Sequence, residues 1–271
     1  MRAPAQRIPA TAPELSLVTA ARPAPAGERW EDGLELPTRL CGHVRVFDDC
    51  TGEAVPILDL GRSQPVTVDP IVVQSVASCS LMGGRAVLDD LRVEALEELT
   101  RLTPYAVERE LWTGELADLA DLPNRRLASP DAEVLNAVPE SPVSVIGRLE
   151  EALGSTPGRG LIHAGLRAAA YLAGQTSREG NLLRTKLGSV VVTGAGYLST
   201  GPDGEPAPDG AAWVYATGPV TVRLSTPEIP AQDAETIDRT NNTAEVRAQR
   251  LAAVSWDGCA HFAALLALKP N

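Results

Sequence analysis

The amino-acid sequence predicts an α+β fold, and three observations carry that expectation. Apolar residues recur at helical spacing over one long stretch that begins after Gly83-Gly84. Short Val-rich runs precede it, each closed off by Asp, Gly or Pro, and read as strands. Beyond residue 142, helical segments mix with strands of antiparallel texture, which is the α+β pattern.

Taken in order, residues 1–27 are rich in Pro and Ala with neither a helical nor a strand period. They are expected to order only against a neighbouring chain. From Trp30 to about Leu60, HVRVF and AVPILDL read as strands joined by turns. PVTVDPIVVQSVASCSL, residues 65–81, reads as one long strand interrupted at Pro70, which points to an edge or a bulge. Leu88, Leu91, Ala95, Leu99, Leu102 and Ala106 then form the apolar stripe of a helix of about 25 residues. Pro104 must kink this helix or open a second segment, and Gly114 can end it. Residues 124–138 are polar and loop-like.

The second half reads as helix PVSVIGRLEEALGS, strand GLIHA, helix GLRAAAYLAG and strand TKLGSVVVTGAGY, followed by the loop STGPDGEPAPDG. WVYATG and VTVRLS are expected to pair antiparallel across Gly218-Pro219. IPAQDAETIDRTNNTA reads as a polar connection, and VRAQRLAAVSWDGCAHFAALLAL as two strands turning at Asp257-Gly258. No internal repeat is visible.

Composition narrows the function classes. With 44% hydrophobic but only 4% aromatic residues, the core must be built from Ala, Val and Leu. A net charge of −11 argues against sequence-wide affinity for nucleic acid, since phosphate neutralisation needs clustered cations. Apolar runs such as AHFAALLAL fall well short of the ~20 residues of a membrane span. The first residues lack the continuous apolar region of a secretory signal, so a cytoplasmic setting is expected.

Reactive groups are sparse. His43, His163 and His261 show no ligand spacing, and His163 and His261 sit in apolar strand contexts that read as satisfied structural histidines. Cys41, Cys50, Cys79 and Cys259 are expected as small buried thiols in a reducing cytoplasm. Two alternatives stay open: a metal held by Cys41, His43 and Cys50 with Cys79 or Cys259 completing it, and a Cys41–Cys50 disulfide formed after release from the cell. TPGRGL and TGAGY fit neither a phosphate-binding loop nor a dinucleotide fingerprint, and no nucleophile elbow occurs. Glu97-Glu98 and Glu150-Glu151 lie on polar helix faces, and Asp48-Asp49 in a turn. No residue is singled out as catalytic, cofactor-binding or metal-ligating. An enzyme would need a pocket gathering His163, Cys79 or Cys259, and acidic groups.

The stretch CSLMGGRAVLDDLRVEALEELTRLTPYAVERELWTGE is similar to the spine-helix region of tailed-bacteriophage major capsid proteins. These have the Hong Kong ninety-seven type fold, shared with encapsulin shells. GLIHAGLRAAAYLAG and LLRTKLGSVVVTGAGY resemble the order of that family's axial domain, and WVYATGPVTVRLS the strands that return to its peripheral domain. The resemblance implies an N-terminal arm over 1–30, a β-rich extended loop region over 31–83, and a spine helix with peripheral domain over 84–138. An axial domain over 139–217 and returning C-terminal strands over 218–271 complete it.

It also implies a structural, non-enzymatic subunit without cofactors, self-assembling into hexamers and pentamers of an icosahedral shell around double-stranded DNA. Its partners would be itself, with portal, scaffold or decoration proteins. The DNA would be enclosed without sequence-specific contacts, no membrane would be involved, and the virion would assemble in the host cytoplasm. An encapsulin-like compartment, another phage head or tail part, and a small-molecule enzyme are the alternatives. Some family members cross-link neighbours through Lys and Asn, but no Lys lies between residues 28 and 83, so that chemistry is not expected. No long scaffolding segment precedes the arm, which implies a separate scaffold or none.

Overall fold

The structure, a computed structural model, describes residues 13–24, 28–38, 40–80, 86–156, 160–231 and 235–268. Most of the expected arm, the Gly83-Gly84 helix start, and the centre of TPGRGL lie outside these residues.

The chain opens with a short helix α1 (Leu17–Ala20) and strand β1 (Arg22–Pro23). Both dock on their own chain, which corrects the expectation that residues 1–27 need a neighbour throughout. Leu17 is fully buried, and β1 pairs parallel with Val220–Leu224. Next come β2 (Leu34–Leu36), β3 (His43–Phe47), β4 (Ala54–Asp59), β5 (Val66–Val68) and β6 (Ile71–Ser80). The expected single strand over 65–81 is therefore two. β5 pairs with β2, while β6 leaves Pro70 behind to join a larger sheet, so proline marks the change of partner.

The long helix α2 (Ala86–Thr113) runs unbroken through Pro104. Pro104 starts no second segment, because burial on both sides of it outweighs the one lost backbone bond. The buried stripe begins as expected at Leu91, Ala95 and Leu99, then steps by four through Thr103, Val107 and Leu111. Leu102 is exposed, contrary to the pattern reading. Gly114 does end the helix, at φ +64°, where a side chain would strike that of Arg126.

After α3 (Glu115–Ala120) and β7 (Glu133–Val134) come α4 (Pro142–Gly154), β8 (Leu161–Gly165) and α5 (Leu166–Leu172). Ser141 caps α4 by accepting from the Ser144 N–H at 3.4 Å, with Pro142 in the first helical position. The remaining strands are β9 (Thr176–Glu179), β10 (Leu182–Thr185), β11 (Val190–Gly194), β12 (Ala211–Thr217), β13 (Val220–Leu224), β14 (Glu235–Asp238), β15 (Thr243–Trp256) and β16 (His261–Ala267). The β9–β10 hairpin was not legible, and β14 falls inside the stretch read as a polar connection.

Two sheets organise the chain. One has seven strands in the order β7-β16-β12-β8-β11-β10-β9. The other is built on the 14-residue β15, with β6 along one edge and β13 and β14 on the other. The expected pairing of β12 with β13 across Gly218-Pro219 does not form. β12 pairs with β8 and β16, β13 with β15 and β1, so the dipeptide is a crossing between sheets. β15 and β16 likewise lie in different sheets, joined through Asp257-Gly258. One core lies between α2 and the β15 sheet and reaches the near face of the other sheet at Val192, Tyr197 and Tyr215. A second core packs α4 and α5 on the far face through Val145, Leu149, Ile162 and Val214.

Candidate functional site

β3 and β4 form a separate two-stranded sheet, with no other strand beside it among the described residues. Every residue of the pair is exposed except half-buried Leu58. The register sets Val46 opposite Val55 and, beyond a register shift between Val44 and Arg45, Val44 opposite Leu58, so exposed apolar pairs form a strip along the hairpin. Val46 and Val55 are 60% and 62% exposed, values suited to a surface awaiting cover rather than a finished core. A lone two-stranded hairpin is marginal in water, and among the described residues no second layer covers this one. Asp48 shapes its tip by accepting from the Thr51 hydroxyl and the Cys50 and Thr51 amides, and these bonds hold its carboxyl below the usual range.

The hairpin's root is built more firmly. Cys41 N–H donates to Gly61 O at 3.0 Å and Leu60 N–H to Gly42 O at 2.9 Å, closing the two legs. Cys41 is joined by a disulfide to Cys259, in the turn between β15 and β16. Gly218 N–H donates to Ala260 O at 3.3 Å, so both crossings between the sheets lie together at this point. The expectation of four buried thiols is thereby corrected, and so is the Cys41–Cys50 alternative. Cys50 is free and exposed at the hairpin tip, and Cys79 is free in β6. Spacing along the chain gave no hint of a partner 218 residues away.

A buried polar joint holds the sheets to the long helix. Glu108 of α2 is 2% exposed and accepts from Leu17 N–H at 3.0 Å and from the Gly196 amide. Burial raises its carboxyl to a pKa of about 7 despite those bonds. Here TGAGY finds its reason. A Cβ at Gly194 would overlap the Glu108 carboxylate, and one at Gly196 the Tyr105 carbonyl. Beside them His163 lies within 3.0 Å of the Tyr197 hydroxyl through Nδ1 and 2.9 Å of the Thr217 hydroxyl through Nε2. Desolvation, with the charge of His261 a lesser cause, lowers its pKa to about 3, so it stays neutral. Trp112 N–H and the Tyr215 hydroxyl both donate to Thr200 O, and their rings meet edge-on at 4.9 Å. The few aromatics thus concentrate where α2 meets the seven-stranded sheet.

The residues considered for chemistry are not gathered. His43 is on the exposed hairpin, 3.6 Å from Asp59. His163 is enclosed at the joint, and His261 Nε2 pairs with Leu127 O at 2.9 Å, its pKa lowered by burial. Cys79 is in the β15 sheet and Cys259 is in the disulfide, so no pocket unites His163 with either. Among the described residues no three His, Cys, Asp or Glu side chains converge as metal ligands. Glu150 accepts from the Thr185 and Ser189 hydroxyls and so braces the turn between β10 and β11. Glu98 pairs with Arg101 along its own helix. Glu108 was missed because a single Glu between helical neighbours looks like any solvated one. No helix among the described residues is long and apolar enough to cross a membrane.

No protein-family model matches the chain, and no curated protein does. Solved structures do. The capsid of Ralstonia phage GP4 aligns over 100% of this chain and 97% of its own, at 14% identity and a TM-score of 0.51. The capsid of an empty GTA particle aligns over 100% and 93%, at 11% identity and a TM-score of 0.55. The holo-SrpI encapsulin complex from Synechococcus elongatus PCC 7942 aligns over 98% and 92%, at 13% identity and a TM-score of 0.51. At such identities the likeness is one of fold. Helix, two sheets and projecting hairpin together give this chain the α+β fold of phage capsid and encapsulin shells, the Hong Kong ninety-seven type.

Proposed function

We propose that the chain is the major capsid subunit of a phage head, a structural rather than catalytic protein that assembles with copies of itself into hexamers and pentamers around double-stranded DNA. The observation that carries this reading is the β3–β4 hairpin: an apolar strip with no layer of its own, in a chain whose fold is that of shell subunits. A neighbouring copy would cover it, and a heterologous contact of this kind closes into rings when the rotation allows. On this reading residues 1–30 are the arm, 31–83 the extended loop region, 84–138 the spine helix with the peripheral domain, 139–217 the axial domain and 218–271 the returning strands. Two observations support this reading. Residues 43–59 are exposed apart from half-buried Leu58, and β6 pairs with β15. Portal, scaffold and decoration proteins are the further partners of this reading, with assembly in a host cytoplasm and the virion as destination. With no lysine in the hairpin, cohesion would be by packing and not by lysine cross-links.

Negative-stain microscopy and size-exclusion of the purified protein should show shells or ring-shaped capsomers. A stable monomer at high concentration overturns the reading. The encapsulin likeness supports a second reading, a compartment around protein cargo. Particle contents separate the two: nucleic acid for a capsid, a folded enzyme for a compartment.

A further inference from the structure

We propose that Cys41 and Cys259 are a redox modification site whose disulfide fixes the direction of the β3–β4 hairpin, the bond being completed after assembly by exchange with a low-molecular-weight disulfide. The argument begins with what orients the hairpin. From residue 43 to residue 59 its side chains are exposed, Leu58 alone half-buried, so its direction is set at the root. There the Cys41–Gly61 and Leu60–Gly42 hydrogen bonds hold the legs to each other but not to the body. The disulfide supplies that second link. It reaches the turn where the chain passes from the β15 sheet to the seven-stranded sheet, beside the Gly218 crossing. A hairpin with a covalent root on that turn moves with the body; without the bond its root amides open more readily.

Access sets the order of attack. Cys41 is 4% exposed and Cys259 half-buried, so exchange enters at Cys259. Its thiolate attacks one sulfur of a small disulfide such as oxidised glutathione, forming a mixed disulfide and releasing one small thiolate. The Cys41 thiolate then attacks the Cys259 sulfur, forming the protein disulfide and expelling the second small thiolate. Two protein thiols are oxidised, one small disulfide is reduced to two thiols, and the two cysteine protons pass to the leaving thiolates. A reducing cytoplasm keeps the pair open during assembly, and release closes it. This timing rests on the shell reading; the coupling of bond to hairpin does not.

The experiment is hydrogen exchange with mass spectrometry on the purified subunit and, separately, on its assembled particles. Protein treated with oxidised glutathione is compared with protein reduced by a phosphine, alongside the C41S/C259S and C50S variants. In the oxidised subunit the root amides of Cys41 and Leu60 should exchange roughly tenfold more slowly than after reduction. C41S/C259S should match the reduced form whatever the treatment, and C50S should behave as the native chain. Equal root exchange in both redox states overturns the proposal, as does peptide mapping that finds Cys41 and Cys259 free, or Cys41 joined to Cys50, after oxidation. Absence of particles would overturn the shell reading and the timing alone, since the subunit arm reads the root by itself.

Discussion

At the scale of single residues, Glu108 is the most consequential side chain that no motif announced. It is a carboxyl in a nearly dry joint, holding the amides of Leu17 and Gly196. Its folded pKa of about 7 stands above the ordinary glutamate value of 4.5, so the folded state keeps a proton that the unfolded chain has lost. Its contribution is therefore most favourable below about pH 4.5 and fades as pH rises through about 7. By linkage the full swing is on the order of 3 kcal/mol. Denaturant midpoints measured between pH 5 and 8 should fall for the native chain and stay flatter for E108Q. Parallel profiles would show that Glu108 does not titrate in this window. His163 was legible for the opposite reason, since a histidine inside an apolar strand has few options besides a hydrogen-bonded neutral ring. Cys41 and Cys259 were not legible, because their approach is a product of where two sheets meet, not of spacing.

At the scale of elements, the sequence pattern served well for the position of several helices and strands. α2, α4, β8 and the β3–β4 pair all stand where their patterns put them. Pairing across a tight turn was not legible. Gly218-Pro219 looked like such a turn, yet β12 and β13 part there, because each completes a different sheet. β9 and β10 escaped notice because TSRE and LLRT carry no alternating apolar pattern. The hairpin itself yields a sharp test. V46D/V55D places two charges on the apolar strip, far from any core of its own chain. Subunit stability should stay within about 0.5 kcal/mol of native, as for surface substitutions, while shells or capsomers disappear from size-exclusion profiles. Normal assembly of that variant would mean the strip is not a contact.

At the scale of the whole molecule, the two sheets share a core. Leu161, Val192 and Tyr215 of the seven-stranded sheet pack in one cluster with Leu99 and Trp112 of α2 and Val246 and Trp256 of β15. Sheets tied in this way should unfold together. Far-ultraviolet and near-ultraviolet circular dichroism are expected to give one coincident transition in denaturant. Two separated transitions would show that the two sheets melt as independent units. α+β composition was legible from the start, but the partition of strands between sheets was not, since both crossings use the same residue types as ordinary turns.

The placement of the aromatic rings has an optical consequence. Trp112 and Trp256 are buried in the shared core and Trp30 beneath β2 and β5, whereas the hairpin from residue 43 to residue 59 carries no Trp or Tyr. Intrinsic fluorescence therefore watches the interior and is nearly blind to whatever settles on the hairpin. Light scattering has the opposite sensitivity. Recorded together on one sample, the two signals separate loss of fold from loss of assembly without any attached label.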